Sequence, residues 1–162
     1  MSVRPATYDD IDRMQAIEVA AGQAFRALGM DAVAEDPPPS AIVLTGAIGR
    51  GHAWVRAIDD VVVAYRLDDV VDGGAHLEQV SLDPSWAGRG LGRQLICDRV
   101  RRADGPVTLT TFADVAWNRP YYERLGFRVL DDEDLGPGLR AIRRAEIARG
   151  LDRWPRCAMR RP

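Results

Sequence analysis

The sequence predicts an α/β protein with a mixed central sheet of about six to seven strands and flanking helices. Three observations carry that expectation. Strand-type runs follow one another between residues 52 and 82 with only short turns between them. A glycine-rich loop then opens an amphipathic helix, and strand and helix patterns alternate from there on.

Taken in order, Val3 to Ala6 reads as a first strand. Thr7-Tyr8-Asp9-Asp10 reads as a helix start, with a capping hydroxyl and acidic residues in the first turn. Ile11, Met14, Ile17, Ala21, Ala24, Phe25 and Leu28 recur at three- and four-residue steps, which predicts one long amphipathic helix ending at Gly29. Glu35-Asp36-Pro37-Pro38-Pro39 is a stiff loop, and Ser40 caps a second helix that stops near Gly51. Strands are expected at His52–Ile58, Val61–Leu67 and His76–Leu82, with Asp59-Asp60 and Asp72-Gly73-Gly74 as the turns. After the glycine loop a helix runs from Gly90 to about Arg102, followed by a strand at Val107–Phe112. A short helix at Tyr121–Leu125 and a strand at Phe127–Leu130 come next. An extra C-terminal helix over 138–150 and an edge strand at Arg156–Arg161 complete the chain.

Bulk properties bound the class. A chain of 162 residues, 46% hydrophobic and 28% charged, suits one soluble globular domain spanning 1–162. The net charge of −2 argues against nucleic-acid binding. No apolar run reaches membrane-spanning length, and Met1 to Pro5 lacks the apolar core of a signal peptide. Two cysteines make no disulfide framework, and a cytoplasmic location is expected. The two histidines and two cysteines are too scattered for a metal site, so no metal is expected.

The glycine loop Ala87-Gly88-Arg89-Gly90-Leu91-Gly92-Arg93 is the most informative segment. Glycines at alternate positions permit a sharp turn, and the N–H groups at the following helix start favour an anion. Two phosphate motifs fail on residues. A P-loop needs Gly-Lys-Ser/Thr, and this chain contains no lysine. A dinucleotide fingerprint needs a third glycine where Arg93 or Leu95 stands.

Ala87 to Gly92 instead resembles motif A of the GNAT (GCN5-related) N-acetyltransferases, Arg/Gln-x-x-Gly-x-Gly/Ala, with Ala87 standing at the Arg/Gln position. Val80-Ser81-Leu82-Asp83-Pro84 resembles that family's fourth strand and its exit. Asn118 to Phe127 is similar to its motif B, which ends aromatic-Tyr-x-x-x-Gly-Phe. Here the Asn118-to-Tyr122 interval is about one helical turn shorter than usual.

The resemblance implies an acetyl-CoA-dependent N-acetyltransferase that passes an acetyl group to a primary amine of a small molecule or peptide by direct attack. It implies acetyl-CoA as co-substrate, held by Val80, Ser81, Leu82, Gly88, Arg89, Gly90, Leu91, Gly92, Arg93 and Asn118. It places a strand N–H, Val80 or else Leu82, on the thioester carbonyl, and Tyr122 as the acid that protonates the thiolate. Arg89 and Arg93 are phosphate partners or solvated arginines; Asn118 contacts the pantetheine arm or caps the short helix. Alternation along a strand puts His76 and Glu78 on the face of Val80, making Glu78 the candidate general base and His76 its rival. A catalytically inactive acyl-CoA sensor is the alternative reading. The tail helix packs on the core, covers the acceptor or makes a homodimer contact. Acidic runs at Asp68-Asp69, Asp72 and Asp131–Asp134 attract a cation or are solvated turns.

Overall fold

A computed structural model describes residues 2–162. Seven strands form one mixed sheet in the order β1-β2-β3-β4-β5-β7-β6, as the sequence predicts. The strands are β1 Val3–Pro5, β2 Ala53–Ile58, β3 Val61–Val71, β4 Gly74–Leu82, β5 Val107–Phe112, β6 Arg128–Val129 and β7 Arg156–Arg161. The helices are α1 Ile11–Gly22, α2 Asp31–Ala34, α3 Ala41–Gly49, α4 Leu91–Arg101, α5 Arg119–Arg124 and α6 Pro137–Ala148. The backbone groups into two compact units, one reaching up to Asp68 and including Gln79–Arg101, the other Asp69–Glu78 with Arg102–Pro162.

In the first unit β1, β2 and β3 pair antiparallel, with an irregularity between Arg56 and Ala57. The apolar face predicted for α1 is the core: Ile11, Met14 and Ile17 pack with Leu44 and Ala47 of α3 and with Val55, Val62, Tyr65 and Leu67 of the sheet. Ser40 caps α3 as predicted, its hydroxyl accepting the Val43 N–H at 3.2 Å. Two local expectations need correction. The long helix does not run unbroken to Leu28. The Gln23 N–H donates to Ala20, three residues back, and Gln23–Leu28 continues as a tighter 3-10 turn closed by left-handed Gly29. The short α2 has no counterpart in the sequence reading; a single turn offers too few apolar repeats to register.

In the second unit β4 and β5 pair in parallel from Ala75↔Val107 to Leu77↔Leu109, and no register pair follows among the described residues. Glu78 is the first residue beyond that ladder. β5 pairs antiparallel with β7, and β7 with β6. Of the acidic residues Asp68 and Asp72, Asp68 is buried in a strand rather than a solvated turn, whereas Asp72 is the exposed turn residue the sequence predicts but has partners of its own. Asp68 extends β3 and pairs with Arg66 at 2.8 Å and Arg99 at 3.5 Å, inside the first unit. Asp72 accepts the N–H of Gly138 at 2.6 Å and of Leu139 at 3.1 Å, capping α6 within the second. None of the helices among the described residues is long and apolar enough to cross a membrane.

Candidate functional site

The glycine loop is built by the residue that precedes it. Asp83 ends β4, and its N–H donates to Val63 at 2.9 Å. Its Oδ1 accepts both the N–H and the hydroxyl of Ser85, at 2.9 and 2.6 Å, folding Pro84–Trp86 into a 3-10 turn. From α1, Arg13 clamps this corner. Its Nη2 donates to Asp83 Oδ2 at 2.5 Å and its Nε to the Val62 carbonyl at 2.8 Å. The Ser85 bonds and then Arg13 hold the Asp83 carboxyl below the usual range.

Gly88 and Gly90 both take left-handed φ, +78° and +72°, which side chains rarely adopt. A Cβ on either would meet nothing within 4 Å, so the loop borders open space. Gln94 N–H donates to Gly90 at 3.1 Å and starts the helical ladder. That leaves the N–H groups of Leu91, Gly92 and Arg93 at the open, positive end of α4. An anionic pyrophosphate fits such a cradle. Arg89 lies over the Trp86 ring at 4.6 Å, and Arg93 lines a hollow with Arg56 and Arg101.

Ser81 directs its hydroxyl at Glu18 Oε2, which also accepts from the Tyr65 hydroxyl at 3.0 Å. Gln79 Nε2 donates to that tyrosine oxygen at 2.9 Å. Burial and then Glu18 push the Tyr65 pKa well above its ordinary value, so this phenol stays protonated. Val80 and Leu82 are half-buried on the same strand. Glu18, Tyr65 and Arg13 escaped the sequence reading because no motif or spacing links positions 13 and 18 of a helix to strand residues far along the chain.

In the second unit Glu78 is exposed. His76 is 3% exposed, and its Nδ1 lies 2.8 Å from the Thr108 hydroxyl. Burial pushes its pKa down, which keeps the ring neutral at neutral pH. Tyr122 stacks edge-on against Phe127 and Tyr121, at centroid distances of 5.7 and 5.6 Å. Loss of hydration, and secondarily Tyr121, raises its pKa above the ordinary tyrosine value. Helix α5 closes as predicted at left-handed Gly126, with Gly126 N–H on Glu123 and Phe127 N–H on Tyr122. Asn118 precedes α5 without capping it through its side chain; its N–H donates to the Val115 carbonyl at 2.9 Å and its carbonyl accepts Tyr122 N–H at 3.0 Å. Among the described residues no three His, Cys, Asp or Glu side chains are grouped to hold a metal ion.

Comparison with known proteins agrees with this architecture. The structure resembles the PaiA N-acetyltransferase of Thermoplasma acidophilum, solved with coenzyme A, at 13% identity over 99% of this chain and 97% of that one, with a TM-score of 0.72. It resembles the ribosomal-protein-S18-alanine N-acetyltransferase of Escherichia coli at 18% identity over 99% and 92%, with a TM-score of 0.67. N-acetylglutamate synthase from Neisseria gonorrhoeae, complexed with coenzyme A and N-acetyl-glutamate, matches 99% of this chain over 34% of its own, at 14% identity and a TM-score of 0.73. At these identities the likeness establishes the fold. The family model for the acetyltransferase (GNAT) domain matches residues 49–129, which contain both the glycine loop and Tyr122. The chain belongs to the GNAT acetyltransferase family.

Proposed function

We propose that the protein is an acetyl-CoA-dependent N-acetyltransferase, acting as a single domain, that acetylates a primary amine of a small molecule or peptide by direct attack. The left-handed Gly88 and Gly90 feeding the open N-terminus of α4 are the observation that carries this reading. The coenzyme A bound in the Thermoplasma and Neisseria proteins supports it. The ribosomal-protein alanine in the name of the Escherichia coli protein and the N-acetyl-glutamate bound to the Neisseria protein support an amine acceptor.

In this mechanism the amine nitrogen bonds to the thioester carbon, the C–S bond breaks, and the sulfur leaves as thiolate. The Val80 N–H, with Leu82 as the next candidate, stabilises the carbonyl oxygen as it gains charge; one fixed donor of this kind contributes roughly 3–4 kcal/mol. Glu78 removes the ammonium proton, directly or through water, and Tyr122 supplies a proton to the thiolate. The main-chain N–H groups from Gly88 to Arg93, the strand from Val80 to Leu82, and Asn118 hold acetyl-CoA, with Arg89 and Arg93 supplying positive charge. We place the protein in the cytoplasm, in keeping with its free cysteines Cys97 and Cys157. A homodimer is also proposed, and sedimentation that finds only monomer at every concentration would refute it.

The test is calorimetric titration with acetyl-CoA beside a Gly90→Glu control, followed by an amine screen. Saturable 1:1 binding that the variant loses, with amine-dependent CoA release, is the expected result. Absence of binding by folded wild-type protein would overturn the reading. One observation favours a second reading, an acyl-CoA sensor without catalysis: Ala87 replaces the side chain that family members place on the phosphate. Binding without acetyl-CoA consumption on pooled amines, and no change in Glu78→Gln, would select that alternative.

A further inference from the structure

Two arginines on neighbouring strands are buried under opposite conditions. Arg66 on β3 is fully buried and is compensated by Asp68 at 2.8 Å and Asp98 at 3.1 Å. Arg56 on β2 is only 4% exposed, yet among the described residues it forms no salt bridge. Its Nε donates to the Gln94 side-chain oxygen at 2.7 Å and its Nη1 to the Ala57 carbonyl. Among the described residues its Nη2 has no hydrogen-bond partner. A buried guanidinium satisfied only by neutral acceptors keeps a charge that the protein leaves uncancelled.

Arg56 lines a hollow of about 400 Å³ between β1 and α4. Arg93 and Arg101 line it as well, and Asp98 is the one carboxylate among the described lining residues. Asp98 already serves Arg66 and lies 3.8 Å from Arg101. Among the described residues the wall carries two more positive than negative charges, and one more when Arg93 is engaged by acetyl-CoA. Its deepest cation is fixed in place by Gln94, so the order needed to bind an anion is already present in the fold.

We propose that this hollow is an anion site for a phosphate dianion, either the free ion or the phosphate group of a monoester, separate from the cradle at the glycine loop. Arg56 and Arg101, neither of them assigned to acetyl-CoA, keep the wall net positive over Asp98 even when Arg93 is engaged by the cofactor. A tetrahedral oxyanion takes N–H donors from several guanidinium groups at once, Arg56 offering its Nη2 because its Nε and Nη1 are already engaged.

The experiment is calorimetric titration of the full-length protein, held in saturating coenzyme A at low salt, with inorganic phosphate and in parallel with ribose 5-phosphate. Saturable 1:1 binding of either probe is expected; a clear preference names the free ion or the monoester as the ligand. Arg56→Gln should weaken that binding about tenfold or more, the scale of one charge-assisted hydrogen bond. Arg101→Gln, at a position whose side chain is 76% exposed, should weaken it severalfold without threatening the fold. The proposal is overturned if neither probe binds once coenzyme A saturates the protein. Phosphate affinity unchanged in Arg101→Gln and in any Arg56→Gln protein that folds would overturn it equally.

Discussion

Arg13 and Asp83, seventy positions apart, meet at 2.5 Å at the corner where β4 turns into the glycine loop. The pair ties the loop to α1, and the second Arg13 bond, to Val62, ties it to β3. Loss of this clamp should loosen the loop more than the fold. Arg13→Met is expected to cost about 1–2 kcal/mol of stability, since the pair is partly exposed and screened. Acetyl-CoA affinity should fall further, by about tenfold, because a mobile loop must be ordered on binding. Arg26→Met removes an exposed pair with Glu35 and should change neither quantity. Urea unfolding and calorimetry on both variants measure the two effects; equal affinity in wild type and Arg13→Met would show that the clamp does not position the loop.

Asp72 stands at left-handed φ +52° in the β3–β4 turn and caps α6 from outside the helix. A Cβ on Gly136 or Gly138 would come within 2.5 or 2.8 Å of the Asp72 carboxylate, which is why glycines flank Pro137. Asp72→Ala should therefore destabilise the protein by about 1–2 kcal/mol, the usual loss for a helix cap. Gly138→Ala should destabilise as well, although alanine normally favours helix. Denaturant midpoints decide it; a stabilised Gly138→Ala would mean that the carboxylate yields freely and the cap is weak.

Acid should act through Glu146. Burial alone would raise its pKa, but hydrogen bonds from Arg156, Thr110 and Arg143 outweigh it and hold the carboxyl below its ordinary value. Asp10, bonded by Arg4, and Asp83 are shifted the same way. A carboxyl with a lower pKa folded than unfolded binds more protons when unfolded. Its stabilisation is complete above the unfolded value near ~4 and disappears as pH falls through the lower folded value. Asp68 runs the other way, because burial raises it despite Arg66 and Arg99. Glu146→Gln should be markedly less stable than wild type at pH 7, with a gap that narrows toward pH 3, roughly the range below carboxylate titration. A gap independent of pH would show that the lost stability is packing rather than charge.

Periodicity and turn chemistry exposed most of this architecture before any coordinates. The Ile11, Met14 and Ile17 stripe, the Ser40 cap and the Gly126 helix end are local signals, and each stands where the sequence puts it. What stayed hidden is non-local. Nothing in the neighbourhood of Asp72 announces that it caps Gly138, sixty-six residues later. Nothing at Arg56 distinguishes a buried arginine from the many exposed ones. The loop glycines were legible because the phosphate cradle proposed for them demands a residue type at a fixed spacing. Glu18 and Arg13 were not, because a side chain that supports a site from another element obeys no spacing rule.

The proposed acid, Tyr122, allows packing and chemistry to be tested separately. Its ring is held by Phe127 and Tyr121, whereas its hydroxyl makes no hydrogen bond among the described residues. Removal of that oxygen should leave packing intact, so Tyr122→Phe should unfold within about 0.5 kcal/mol of wild type. The raised pKa keeps the phenol protonated throughout the physiological range and makes it a weaker acid than free tyrosine. It would then serve a thiolate of pKa near ~8.5 through a hydrogen bond that completes proton transfer only as the C–S bond breaks. Tyr122→Phe should lower turnover by roughly 10²-fold while leaving the acetyl-CoA Kd unchanged. The alkaline limb of the kcat profile should not carry a tyrosine ionisation near pH ~10, because the folded phenol titrates above that. Wild-type turnover in the phenylalanine variant, measured by CoA release, would assign the proton to water and leave Tyr122 a packing residue.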